Sequence, residues 1–175
     1  MKKYISLLRG INVGGHKKIL MADLKSLFQD LDFNNIQTYI QSGNVVFDAK
    51  ETDLSVLEKM ISEKIKTHYG FDVPVLIITP QQIEDAIAKN PFEEYDKLSF
   101  TFLAENPAQE NIDIFNSFSF DNEFFELKDN VVYAHYPNGA GTAKMNNRFI
   151  ERKLKVTATS RNLRTTKKLL EMAIK

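Results

Sequence analysis

The sequence predicts an α+β protein made of two tandem βαββαβ halves. Its apolar residues switch between period two and period 3.6 along the whole chain, as alternating strands and helices require. The order of these patterns repeats after a short connecting helix, with Gly, Asn and Asp turn signals between elements. The chain has 175 residues, 43% hydrophobic and 26% charged, which suits one domain or two small ones sharing a core.

In the first half, residues 3–9 read as a buried strand, followed by the loop Gly10-Ile11-Asn12-Val13-Gly14-Gly15-His16-Lys17-Lys18. A helix begins near Met21, because Leu24, Leu27, Phe28 and Leu31 recur at i, i+3, i+4 and i+7. Residues 36–41 alternate as a half-buried strand, Ser42-Gly43-Asn44 marks a tight turn, and Val45-Val46-Phe47 is the returning strand. Leu54, Leu57, Ile61 and Ile65 define a helix over residues 53–69, with Gly70 just past its end. Residues 73–78 form the next strand, and Pro74 near its start predicts a sheet edge.

A connecting helix over residues 80–89 follows Thr79-Pro80, with threonine placed to cap and proline in the first turn. The order then repeats. Residues 98–103 read as a strand, 107–116 as a weak helix, and 124–127 and 131–135 as strands about the turn Lys128-Asp129-Asn130. Met145, Phe149, Ile150 and Leu154 mark a helix over residues 144–154. A short strand at 156–159 and a helix at 163–174 end the chain. The domain reading is a first half at 1–79, a connecting helix and loop at 80–96, and a second half with a C-terminal helix at 97–175.

This element order is the ferredoxin-like pattern. Right-handed crossovers give each half the sheet order 4-1-3-2. Strand direction then brings the loop at 10–18 and the turn at 41–44 to one end of the first sheet. In the second half it brings Pro137-Asn138-Gly139-Ala140-Gly141 near Thr159-Ser160-Arg161-Asn162.

Composition narrows the function. The absence of cysteine excludes disulfides, a thiolate metal site and a cysteine nucleophile. His16, His68 and His135 lack metal-ligand spacing, so no metal or other cofactor is expected. The apolar stretch after Lys2-Lys3 is too short for a secretory core and ends at Arg9, and no window reaches the ~20 apolar residues of a membrane span. A cytoplasmic protein without a membrane partner is expected. Net charge is zero but unevenly spread. Residues 1–20 and 140–175 hold fifteen basic residues against two acids, a net +13, and residues 21–139 hold eight against twenty-one, a net −13. The basic ends either form a field for an anionic partner or are neutralised by the acidic middle.

Three constellations could carry chemistry. From Arg9 to Lys18, a strand leads through a glycine-rich, lysine-bearing loop to a helix, an arrangement suited to a phosphate. Its spacing matches neither the dinucleotide fingerprint nor the P-loop, and Gly14 and Gly15 could equally serve a turn with positive φ. Gln41-Ser42-Gly43-Asn44 presents polar groups beside that loop. The third is Thr159-Ser160-Arg161-Asn162-Leu163-Arg164-Thr165-Thr166. There Ser160 or Asn162 can cap the last helix, while Arg161 and Arg164 sit at its positive end, a conflict that an anionic ligand or a nearby acid would relieve. Phe100, Phe102, Tyr133 and His135 occupy strand positions where an RNA-recognition motif stacks bases, but the motif consensus is absent and core packing is the simpler reading. Asp23 is explained by the helix dipole, and Glu93, Glu94 and Asp96 read as a solvated loop.

At these motifs the sequence resembles the DUF1697 family of uncharacterised bacterial proteins, over nearly the whole chain. The shared signatures are Leu8-Arg9-Gly10-Ile11-Asn12-Val13-Gly14-Gly15 with Met21-Ala22-Asp23-Leu24, then Thr38-Tyr39-Ile40-Gln41-Ser42-Gly43-Asn44-Val45, and Thr157-Ala158-Thr159-Ser160-Arg161-Asn162 with Thr165. Two positions depart from the family's usual residues: Ala143 stands where serine precedes the lysine, and Leu163 where tryptophan follows the Arg-Asn pair. If that serine carries chemistry in the family, this chain lacks it. The resemblance implies two ferredoxin-like halves and no particular activity.

The expected function is binding of a phosphorylated small molecule, a nucleotide or an RNA end by the two polar loop clusters. Arg9, Lys18, Arg161 and Arg164 supply charge; Asn12, Gln41, Ser42, Asn44 and Asn162 supply hydrogen bonds, with Gly14 and Gly15 shaping the first loop. The alternatives are an enzyme using the same pocket, with His16 or Ser42 handling a proton, and a protein-interaction module.

Overall fold

A computed structural model describes residues 1–93 and 96–175. Glu93 and Asp96 are exposed, as a solvated loop requires, and Glu94 lies outside the described residues. The elements are β1 (Lys2–Leu8), α1 (Met21–Gln29), β2 (Asn34–Tyr39), β3 (Asn44–Ala49), α2 (Leu54–Tyr69), β4 (Val75–Ile78), α3 (Pro80–Ala88), β5 (Leu98–Leu103), α4 (Gln109–Asn116), β6 (Phe124–Lys128), β7 (Val131–His135), α5 (Asn147–Leu154), β8 (Ala158–Asn162) and α6 (Leu163–Ile174). They form a mixed α+β structure with two four-stranded sheets, ordered β2-β3-β1-β4 and β6-β7-β5-β8, in which every neighbouring pair is antiparallel. Two compact units result, one of residues 1–84 with 168–175 and one of residues 85–167.

In the first unit, alternate residues of the central strands, among them Tyr4, Leu8, Val45 and Phe47, join Leu24, Leu27 and Phe28 of α1 and Leu57, Ile61 and Ile65 of α2 in one core. The helical spacing read from the sequence is therefore the buried stripe of each helix. Gly70, at φ 81°, closes α2 by accepting the left-handed conformation that its position requires. The strand expected at residues 36–41 lies two residues earlier, because Ile40 takes φ 49° and already belongs to the turn. Asn35, at φ 51°, sits where the β2–β3 register shifts, a bulge in an edge strand. As Pro74 foretold, β4 is the other edge.

Thr79 caps α3 with a partner that sequence reading missed. Its Oγ1 accepts from the Gln82 N–H at 3.2 Å, and Gln82 Oε1 accepts from the Thr79 N–H at 2.8 Å. This is a reciprocal capping box.

The second unit packs Phe115 of α4 and Phe149, Ile150 and Leu154 of α5 against Val132, Ala134, Leu103 and Ala158 of the sheet. The helix expected from residue 144 starts at Asn147, because Asn146 Oδ1 accepts from the Phe149 N–H at 3.0 Å and caps it there. Lys144 and Met145, just before it, donate their backbone N–H groups to the two carboxylate oxygens of Glu123 at 3.1 and 2.8 Å. The last strand begins at Ala158 rather than Val156, after Lys155 ends α5 at φ 55°. Phe100, Phe102 and Tyr133 are core residues and no stacking platform. Phe100 and Tyr133 meet edge-on at 4.9 Å, and the Tyr133 hydroxyl donates to the Ala86 carbonyl at 2.7 Å.

Part of the basic excess is neutralised by the acidic middle. Lys2 pairs with Glu51 and Lys3 with Asp48, while Lys168 and Lys175 both meet Glu171 of their own segment. Apart from the partly buried Lys3–Asp48 pair, these are exposed and contribute little stability. Among the described residues no helix is long and apolar enough to cross a membrane.

Candidate functional site

The first loop is a clamped miniature hairpin. Val13 and His16 bridge antiparallel, the His16 N–H bonds to the Val13 carbonyl at 3.0 Å, and the Asn12 N–H bonds to the Lys17 carbonyl at 3.1 Å. Gly14 at φ 58° and Gly15 at φ 77° occupy its two central positions, the positive-φ pair that tight two-residue hairpins need. The turn itself thus accounts for both glycines. Lys17 ties the hairpin down by donating to the Asp72 carbonyl at 2.5 Å.

Asn12 is the hub. Its Oδ1 accepts from the Ile19 N–H at 2.9 Å, and its Nδ2 donates to the carbonyls of Ile19 and Gln41 at 3.0 and 2.8 Å. One half-buried amide thereby joins both ends of the loop to the β2–β3 turn. Gly43 makes that turn fit: it takes φ 88°, and a Cβ there would lie 2.6 Å from Leu8 Cβ and 3.0 Å from Ile11 Cδ1. Its carbonyl accepts from the Leu8 N–H at 2.8 Å. Asn44 is fully buried, and its Nδ2 donates to the Tyr39 carbonyl and to Ser42 Oγ, each at 2.9 Å.

The loop and the turn therefore meet at one end of the first sheet, as strand direction required. A cavity of about 290 Å³ opens there, lined by Asn12, Gly15, Lys18, Ile19, Leu20, Met21 and Gln41. Lys18 and Gln41 are exposed, and their side chains make no hydrogen bond among the described residues. Leu20, at the N-cap position of α1, supplies no side-chain cap, so the first N–H groups of that helix have no side-chain acceptor from it. Leu20, Val13 and Ile40 expose 70%, 66% and 50% of their surface and give this end an apolar rim. Of the residues singled out in the sequence, Asn12, Gly15, Lys18 and Gln41 share this cavity; Ser42 and Asn44 brace the turn behind it. Arg9 is half-buried, outside the lining, with its N–H on the Pro74 carbonyl at 3.0 Å.

The second cluster lies in the other unit. Leu98 pairs with His135 and Ser99 with Asn162, so the end of β7 and the end of β8 share one pole of that sheet. Asn162 caps α6: its Oδ1 accepts from the Thr165 N–H at 2.8 Å, and its carbonyl accepts from Thr166 Oγ1 at 2.9 Å. The cap that the sequence left between Ser160 and Asn162 is thus Asn162. Arg161 is half-buried, with Nη1 donating to the Ser160 carbonyl at 2.8 Å, and desolvation lowers its guanidinium pKa to about 10. Arg164 is exposed.

The model of the family described as "Protein of unknown function (DUF1697)" matches residues 1–133. The chain belongs to the DUF1697 family. A solved structure described as that of the conserved bacterial protein SP0830 from Streptococcus pneumoniae is similar in fold. It has a TM-score of 0.77 and 21% identity over 98% of each chain. No curated protein matches. Within this DUF1697 chain the matched segment contains the whole loop-and-turn cavity, whereas Arg161, Asn162 and Arg164 lie beyond it.

Sequence reading of the DUF1697 chain missed a polar chain beneath the second sheet. Thr101 Oγ1 and Ser160 Oγ lie 2.7 Å apart, and Ser160 Oγ donates to Asn147 Oδ1 at 2.7 Å. Asn147 Nδ2 donates to Glu151 Oε1 at 3.1 Å and to the Ala158 carbonyl at 3.0 Å. Thr101, polar on the helix-covered face of a central strand, was the one local signal for it. The remaining contacts link residues far apart in sequence.

Proposed function

We propose that the first unit, read as a ferredoxin-like half, binds a small phosphorylated molecule at the exit of β1, with Lys18 and the start of α1 receiving the phosphate. The observation that carries this is the cavity of about 290 Å³ in which Lys18, Gln41 and the N-terminus of α1 converge. The Leu24 N–H is the first to bond within α1, to the Leu20 carbonyl, so the N–H groups of residues 21–23 point outward without a helical acceptor. Asp23 in the first turn offsets part of that positive end, which leaves Lys18 as the principal counter-charge. Gln41 offers a donor and an acceptor to the ligand's polar body, and the Leu20 rim offers it an apolar surface. The cavity lies at the small end of the roughly 300–1,000 Å³ usual for ligand sites, which favours a mononucleotide, a nucleotide-like RNA end or a smaller metabolite over a dinucleotide.

Thermal unfolding with AMP, inorganic phosphate and adenosine at matched ionic strength tests the reading. AMP at ~100 times its dissociation constant adds about 2.7 kcal/mol to stability. Adenosine adds much less, and Lys18→Glu removes the AMP effect while leaving the unliganded melting temperature in place. Equal shifts with AMP and adenosine, or an AMP shift that survives Lys18→Glu, would refute it.

A further inference from the structure

The second unit carries a groove beside an open sheet edge, and the groove is lined by phenylalanines. β6 is the edge strand of its sheet, and its outer side has no backbone partner among the described residues. A cavity of about 650 Å³ runs along it, lined by Phe92, Phe118, Phe120, Phe124 and Phe125 together with Glu126. Phe124 is 51% exposed and stacks on His135 with ring centroids 6.1 Å apart. Phe118 and Phe120 lie parallel, 9° apart in plane, and half-buried. Exposed aromatic surface of this kind favours burial by a partner, and an unpaired strand edge is a template for one more strand.

The charge of the groove limits what can lie there. Its charged lining residues are Glu123 and Glu126. The Glu123 oxygens already accept from the Lys144 and Met145 N–H groups, so Glu126 is the carboxylate that a ligand meets, while Lys153 Nζ covers the Phe118 ring 4.7 Å from its centroid. Glu126 is paired only loosely with Lys128, at 3.8 Å and with both side chains exposed. A phosphodiester chain could stack on the phenylalanines, but it would bring its negative backbone against these carboxylates. A proline-rich segment would suit the rings, but proline has no N–H for the strand edge.

The geometry points to a docking site for an extended peptide that adds a strand to β6, seating apolar side chains on Phe118 and Phe120 on the helix-covered face and a Lys or Arg on the opposite face, where Phe124 and Glu126 lie. Main-chain hydrogen bonds supply affinity, and alternate side chains supply selectivity. The site is independent of the cavity at the exit of β1.

Selection of phage-displayed random dodecamers on the full-length protein tests it. The expected winners alternate apolar residues with Lys or Arg. As synthetic peptides they lose about tenfold or more in affinity on Phe124→Ser, on Glu126→Lys, or on N-methylation of alternate peptide amides. Both protein substitutions lie at exposed positions, and an unchanged melting temperature shows that the fold is intact. The proposal is overturned if no sequence is enriched, if the winners are acidic or proline runs, or if they bind both variants as well as the parent. Sedimentation showing a dimer that Phe124→Ser dissolves also overturns it, because a second copy would then fill the groove.

Discussion

Asn12 Nδ2 donates to the Gln41 carbonyl 2.8 Å away, across 29 positions of sequence. The same carboxamide holds both backbone groups of Ile19, so one side chain sets the mouth of the cavity at the exit of β1. Its own backbone adopts φ 55°, a conformation asparagine tolerates better than most residues.

Removing this clamp should weaken the fold as well as the site. We expect Asn12→Ala to destabilise by roughly 2–4 kcal/mol, from three lost hydrogen bonds, the stranded Ile19 N–H and a β-carbon forced to positive φ. Asn12→Gly keeps the conformation and loses only the clamp, so it should cost less. Urea denaturation of the two variants separates these contributions.

The glycines separate into classes that calorimetry can rank. Gly43→Ala combines φ 88° with a Cβ contact of 2.6 Å, whereas Gly70→Ala meets φ 81° in open space and Gly141→Ala meets neither strain nor contact. We expect losses of about 3 kcal/mol or more, about 1 kcal/mol and close to none, in that order.

Ser6 lies fully buried on the core-facing side of β1, with its hydroxyl lacking a hydrogen-bond partner among the described residues. Burying a hydroxyl in that state is unfavourable, so Ser6→Ala should raise stability by about 1 kcal/mol. A fall of similar size in denaturant melts would contradict this.

Alkaline pH should unfold the second unit through its tyrosines. Burial pushes the Tyr133 hydroxyl up to about 12 and the Tyr136 hydroxyl higher still, with Asp129 and Glu123 adding to the respective shifts. Both pKa values are raised on folding. Their contribution is therefore complete below the unfolded value near ~10 and declines as pH climbs toward the folded values. Stability should drop between about pH 10 and 12, and tyrosinate absorbance should appear together with unfolding. Tyr133→Phe, which also gives up the bond to the Ala86 carbonyl, should make the drop shallower.

The sequence by itself determined the two α+β repeats and their element order, because apolar periodicity records which face of each helix and strand is buried. The stripes Leu24-Leu27-Phe28 and Phe149-Ile150-Leu154 and the alternation in the central strands are the cores observed. Turn chemistry was legible for the same local reason at Gly70, Pro74 and Thr79. Strand direction then sufficed to predict that the loop at 10–18 meets the turn at 41–44. What the residues do once they meet was decided by tertiary structure. Nothing local distinguishes an Asn12 free to bind a ligand from one spent on Ile19 and Gln41, or an Arg161 open to an anion from one desolvated by burial. The same holds for the bond from Ser160 to Asn147 and the grip of Glu123 on residues 144 and 145. Those assignments depend on which donor and acceptor lie within about 3 Å after the chain has closed on itself, a distance that residue spacing does not encode.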